Sequence, residues 1–435
     1  MSSVAGGRQP VRLAYGETGL MIEVDPERTT VVTPVHRAGA PDVAATLRGA
    51  LQHPVAGPPL RDVIRPGQKI AVSICDVTRP QPRDLMVRAL LAELEGISSR
   101  DDFTLIVATG THRSNTDAEL RSMLGDELVD TMRIIQHDGR DLSTLTYRGE
   151  FGDGVPVWLN TQWCEADIRI TTGFVEPHFF AGFSGGGKLV APGLAGLETV
   201  LTLHDAKRIG SEKATWAICE GNPVHDDVRA IAVGTGVDFA FDVVLNADKQ
   251  VVSAFAGEIL EMHAAAREEV RVISMRPVDQ LFDVVVTTNS GYPLDQNLYQ
   301  SVKGMSAAAT IVKPGGLIIC VAEMRDGFPD HGSFREELQS GKTPQELLDM
   351  IAAREKTVDD QWEVQVLSRV QVLARVGVHS DYLDDAALQS AHLIPVPDVS
   401  AAIAAELAAV GPDARACILP EGPQTIAYVA SDVPE

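Results

Sequence analysis

Four short apolar runs in this chain each end on a polar motif built around glycine, proline or histidine, and that alternation admits few folds. Residues 69–75 (Lys-Ile-Ala-Val-Ser-Ile-Cys) lead into Asp76-Val-Thr-Arg79-Pro80. Residues 103–109 lead into Gly110-Thr-His112-Arg113, residues 168–172 into a glycine-rich stretch over 173–188, and residues 282–288 into Asn289-Ser-Gly-Tyr292. Stretches with helical spacing at 84–95, 117–132, 258–273 and 298–310 lie between or after them. Apolar runs this short, interleaved with helices, predict parallel strands buried on both faces. Ligands of such sheets sit outside the carboxyl ends of the strands. The polar motifs are therefore expected to gather on one rim.

One region breaks the rhythm. Residues 239–255 hold two β-rich pieces around Asn246-Ala-Asp-Lys249, which predicts a hairpin. Beyond Met275-Arg-Pro277 a second series begins. It has strands at 282–288, 316–321 and 417–420 and helices at 298–310, 344–353, 362–374 and 401–410. The expected architecture is α/β, with two domains of parallel-rich sheet, 1–275 and 276–435, and the active site in a cleft between them. The last residues are free to pack back on the first domain.

Composition narrows the function classes. The formal charge is −23 over 435 residues, which disfavours a nucleic-acid surface. No apolar run approaches the roughly 18 residues that a membrane span needs. The start, Met1-Ser-Ser-Val-Ala-Gly-Gly, lacks the basic and apolar regions of a secretion signal. The five cysteines (Cys75, Cys164, Cys219, Cys320, Cys417) form no CxxC pair. That argues against a zinc ribbon or a disulfide framework and for a reducing, cytoplasmic setting.

The stretch Gly182-Phe-Ser184-Gly185-Gly186-Gly187-Lys188-Leu189 almost reads as a phosphate-binding loop. That pattern needs a Ser or Thr after the lysine to hold magnesium, and Leu189 has no oxygen. Lys188 has no acid beside it in sequence. Desolvation there favours a neutral amine, which is a nucleophile or an attachment point. The competing reading is a lysine contacting phosphate in an enzyme that uses ATP or NAD; the absence of a GxGxxG after an early strand counts against that reading.

His112, His178 and His204 stand at strand ends or beside the glycine run. A lone loop histidine is more often structural, but these three share their neighbourhood with Lys188. The other eight (His36, His53, His137, His225, His263, His331, His379, His392) carry no comparable pattern. Arg79 sits between Asp76 and Pro80 and is able to clamp a carboxylate, with Asp76 as its brace. Tyr299, Gln300 and Lys303 lie within one helical turn of one another.

In chain order, Asp-Val-Thr-Arg-Pro, Thr-Gly-Thr-His-Arg, Glu-Pro-His-Phe-Phe-Ala-Gly-Phe-Ser-Gly-Gly-Gly-Lys, the later His204, and Tyr-Gln-Ser-Val-Lys-Gly closely match one known pattern. The chain resembles the nickel-pincer-nucleotide lactate racemases over nearly its whole length. The resemblance implies a pyridinium mononucleotide with two sulfur-bearing arms, attached through a thioamide to Lys188 and cradled by Ser184, Gly185, Gly186 and Gly187. It implies nickel ligated by His204 and a catalytic pair in His112 and His178. It places Arg79, Asp76, Gln300, Lys303, Tyr299 and Trp362 on the substrate side. It also implies partner enzymes that make the cofactor, and a 2-hydroxycarboxylate substrate. Tyr292, Leu294, Phe180 and Trp362 are the residues guessed to discriminate among such acids.

Overall fold

A computed structural model describes residues 7–329 and 332–430; of the histidines considered above, His331 lies outside them. The described chain forms two compact α/β units. One comprises 36–204 and 211–273, the other the remaining described residues.

The first unit is built on a six-stranded sheet. Its order is Val251–Gly257, Phe239–Leu245, Ile168–Phe174, Ile70–Cys75, Phe103–Ala108, Arg133–Gln136. All neighbours are parallel except Val251–Gly257, which pairs antiparallel with Phe239–Leu245 as the expected hairpin. The alternation along each strand serves two cores. Ile70, Val72, Ile74, Leu105 and Val107 point into one, while Ala71 and Ile106 join the other, with Val228, Ile231 and Met262. Burial on both faces explains why these strands read as continuous apolar runs. The stretch 117–132 forms two helices, Asp117–Leu124 and Asp126–Thr131. Gly125 divides them, at φ +79°, a left-handed conformation that ends one helix and starts the next.

The second unit carries a six-stranded, all-parallel sheet. Its order is Ile394–Pro395, Arg375–His379, Val312–Val321, Phe282–Thr288, Ala416–Leu419, Thr29–Val31. The hairpin Gln9–Leu13/Leu20–Val24 and helix Val399–Val410 cover one face through Leu13, Ile22, Ile403 and Leu407. Helix Leu298–Ala309 lies so close that a side chain at Gly304 would meet the Thr288 carbonyl. The strand Thr29–Val31 places the first residues of the chain with the second unit, whereas the sequence reading grouped them within 1–275. The chain passes between units at 273/274, beside the expected boundary. Among the described residues no helix is long and apolar enough to cross a membrane, and all five cysteines are unbridged.

Candidate active site

Strand Ile70–Cys75 delivers Asp76 to its carboxyl end, where the side chain is almost wholly buried. One carboxylate oxygen accepts from the Thr78 backbone N–H at 3.1 Å and from the Thr78 hydroxyl at 2.6 Å. The other is 2.6 Å from Nδ1 of His112, which the next strand, Phe103–Ala108, presents from the turn after it. Burial alone would push this carboxyl up; the His112 hydrogen bond and charge, with Arg79 and Thr78, outweigh it and hold the group well below the usual carboxylate range. The carboxylate is therefore ionised and can only accept, so His112 Nδ1 carries a proton, and in the neutral imidazole Nε2 is the nitrogen with the lone pair. The sequence reading gave Asp76 to Arg79. In the structure Asp76 orients His112, and Arg79 reaches the Thr78 hydroxyl at 3.1 Å. His112 keeps 44% of its side chain exposed, open to a reactant.

After strand Ile168–Phe174 the chain makes a small hairpin, Pro177–His178 against Gly182–Phe183. His178 Nδ1 accepts from the Ala181 and Phe180 backbone N–H groups at 3.3 and 3.5 Å. Neutral His178 thus carries its proton on Nε2, opposite in polarity to His112. Phe180 is the hub of this corner. Its ring meets His178 edge-on at 4.5 Å and His204 at 5.3 Å, and Lys188 Nζ stands 5.5 Å from its centroid. The sequence reading suggested Phe180 only as a wall of the substrate pocket. His204 closes helix Leu197–Leu203 and donates from Nδ1 to the Val200 carbonyl at 2.7 Å, which leaves the lone pair of the neutral ring on Nε2.

The glycine run has the conformation its sequence asks for. Gly185 and Gly186 lie at φ +77° and +51°, and a Cβ would strike Asp242 at the first and the His263 ring at the second. Ser184 ties the loop back, its hydroxyl donating to the Phe174 carbonyl at 3.1 Å and accepting from the Glu176 N–H at 3.0 Å. Gly186–Leu189 is a single 3₁₀ turn, where a nucleotide-binding loop would open a helix.

Two residues below this loop escaped the sequence reading. His263, expected to be a plain helix-face residue, is buried and donates from Nε2 to the Ser184 carbonyl at 2.8 Å. It stacks at 5.8 Å on His225. Burial, helped by the Arg267 charge, lowers both imidazoles, to about 3 and about 4 respectively, so both are neutral. Asp242, fully buried on strand Phe239–Leu245, accepts the Gly186 N–H at 2.7 Å. Burial pushes its carboxyl up to about 7, and the hydrogen bond offsets only part of this. A folded-state value above the ordinary one means the native protein holds a proton that the unfolded chain releases. Stability should then fall as pH rises between about 4 and about 7, by up to ~1.4 kcal/mol per unit. Asp242→Asn should remove that slope. Denaturant unfolding of both proteins across this window measures it, and parallel curves would refute a protonated Asp242.

In the second unit, Asn297 caps helix Leu298–Ala309 by accepting the Gln300 N–H at 2.9 Å. Lys303 Nζ donates to Gln300 Oε1 at 2.7 Å. Trp362 donates its indole N–H to the Tyr299 oxygen at 3.0 Å, and Tyr299 donates to Asp360 at 3.1 Å. The four residues of this unit that the resemblance places on the substrate side thus form two linked pairs. Tyr292 lies under the Arg325 guanidinium at 4.9 Å.

These arrangements invite comparison with known proteins. Residues 15–217 match the lactate racemase N-terminal domain and residues 278–427 the lactate racemase C-terminal domain. Over 425 residues the chain is 32% identical to the lactate racemase of Thermoanaerobacterium thermosaccharolyticum, covering 96% of this chain and 98% of that protein. The chain belongs to the lactate racemase family. That family consists of isomerases, as the sequence resemblance implied. The lactate racemase of Lactiplantibacillus plantarum is 35% identical over 379 residues, 87% of this chain and 89% of its own. The solved lactate racemase apoprotein from T. thermosaccharolyticum superposes with a TM-score of 0.90 at 31% identity, covering 96% of this chain and all of that one. A Thermotoga maritima protein shares the fold at a TM-score of 0.66 and 16% identity, over 91% of this chain and all of that one. The reading as an ATP- or NAD-dependent enzyme is not favoured.

Proposed function

We propose that this family member interconverts the enantiomers of a 2-hydroxycarboxylate, lactate or a close relative, with a nickel-pincer nucleotide tethered to Lys188. The observation that supports it most is the opposite polarity of the two imidazoles. Neutral His112 would offer a lone pair at Nε2, while neutral His178 would offer a proton there. A reaction that takes the proton from the substrate hydroxyl and later returns one to the same oxygen, after the planar carbon has turned over, needs one acceptor and one donor.

The residues present suit the cofactor. A backbone cradle of Gly185, Gly186 and Gly187 brings Lys188 beside an aromatic ring, and the His204 tautomer is fixed for ligation. On the protein side, His204 would be the residue that holds nickel, beside the sulfur-bearing cofactor on Lys188. Soft sulfur with imidazole suits nickel. When bound, the cofactor supplies a centre able to take up and return hydride, which spares the reaction a carbanion beside an ionised carboxylate. The protein's residues do the rest. With that centre in place, one histidine would take the hydroxyl proton and the other would return one to the same oxygen. Arg79, Lys303 and Gln300 hold the carboxylate while the reacting carbon turns over. Enzymes that make and load the cofactor are the expected partners, and the five unbridged cysteines suit the cytoplasm.

A panel of chiral 2-hydroxy acids, incubated with cofactor-loaded enzyme and resolved by chiral chromatography, tests the proposal. Loss of optical purity in at least one acid is expected; none in any, with Lys188 demonstrably modified, would reject it. Arg79→Ala should raise KM roughly ten- to hundredfold, the ~1.5–3 kcal/mol of a charged hydrogen bond. Unchanged kinetics would reduce Arg79 to a loop brace.

A further inference from the structure

In the second unit, helix Leu298–Ala309 and helix Gln361–Leu373 bring the Gln300–Lys303 and Tyr299–Trp362 pairs close to an acid that nothing above uses. Glu363 follows Trp362 and is 1% exposed. Its Oε1 has no hydrogen-bond partner. The charges acting on it are Lys303 on the facing helix and Asp360 at the start of its own; the Tyr299 phenol is near enough to be influenced by it. Neighbouring elements keep their charges paired elsewhere: Arg354 with Glu337, Arg208 with Asp205, Arg375 with Glu406, Lys313 with Asp283. A buried carboxyl with an unsatisfied oxygen is costly to keep ionised, and the Lys303 charge offsets part of that cost.

We propose that Glu363 is a positioning residue that governs the charge Lys303 presents to a substrate carboxylate. Protonated, Glu363 leaves the ammonium to the substrate; ionised, it draws that ammonium to itself. The inference rests on the reading that Lys303 binds the substrate carboxylate. The only bond that forms or breaks is the Glu363 O–H. When the acid binds to protein with ionised Glu363, one proton moves from solvent to Glu363, and release of the acid returns it. Burial pushes the Glu363 carboxyl up to about 8, with Lys303 opposing, and a second carboxylate beside Lys303 raises it further. The bound state then holds the proton to higher pH than the empty state. Affinity for the acid is full below about pH 8 and falls as pH rises above it, by up to tenfold per unit.

The test uses cofactor-loaded, full-length protein and lactate, an ionised carboxylate throughout the range. KM and kcat are measured from about pH 6.5 to about pH 9.5, and binding is followed calorimetrically near pH 8.5 in two buffers of different ionisation enthalpy. Wild type should show KM rising toward tenfold per unit above pH 8, kcat changing less, and net proton uptake on binding. Glu363→Gln should flatten the KM profile and abolish the uptake. Absence of proton uptake by wild type overturns the proposal without reliance on any variant. So does a Glu363→Gln profile as steep as wild type, provided that Lys303→Met weakens binding at every pH. If Lys303→Met binds lactate as wild type does, the assignment of Lys303 to the substrate fails and the proposal falls with it.

Discussion

Protein carrying Lys188→Ala, produced together with the cofactor-making enzymes, is expected to be isolated at the mass of the bare chain. Alanine has no amine to form the thioamide, so the loss should be complete rather than graded. The variant should fold, because the loop is held by other groups: Asp242 on the Gly186 N–H, His263 on the Ser184 carbonyl, and Ser184 on Phe174 and Glu176. An unchanged thermal transition, read beside the intact mass, separates lost attachment from lost structure. Lys188→Arg should behave alike, since a guanidinium stays charged and is not a nucleophile at neutral pH. An adduct of cofactor mass in either variant would move the attachment elsewhere.

The second large effect concerns the proton carriers. His112→Ala and His178→Ala should load cofactor normally yet lose turnover by about 10²–10⁴, the range for a positioned acid or base. Asp76→Asn is the more searching variant. Its amide is able to donate to Nδ1 of His112, which would reverse the tautomer and put a proton on Nε2 where a lone pair is needed. A drop comparable to His112→Ala is therefore expected, although the imidazole remains. Rates should be normalised to the fraction of protein carrying the adduct. Near-normal turnover in Asp76→Asn would show that the carboxylate does not set the state of His112.

How much of this was legible in the sequence depended on whether the signal was local. Apolar runs such as 103–109 become buried strands, and the turns that end them carry His112 and the Lys188 loop, because a parallel sheet confines polar side chains to strand ends. The hairpin at 239–255 and the helix at 298–310 were equally readable from period and turn residues. A single helix over 117–132 was not, since the spacing persists across Gly125 while the backbone reverses hand there. The strand Thr29–Val31 left no local trace, for its partner Ala416–Leu419 lies at the other end of the chain. Within the candidate site, the residues that sequence reasoning singles out are those with their own motif. Contacts made through a distant residue left no such local signal. His263 lies 79 positions from the Ser184 carbonyl it holds. Asp242 reads as a strand residue until the glycine loop is folded over it. The partner of Asp76 is 36 positions away, so sequence proximity pointed to Arg79 instead.

The most direct test of the central claim follows the hydrogen on the reacting carbon. Cofactor-loaded enzyme is given one enantiomer of lactate, or of whichever acid the panel identifies, in deuterium oxide until the enantiomers are equal, and C2 is read by proton NMR and mass spectrometry. The hydride account predicts an inverted product that keeps its original hydrogen at C2, with deuterium confined to exchangeable positions. Stoichiometric deuterium at C2 in the inverted product would mean that the carbon surrendered a proton to solvent, and would contradict the account.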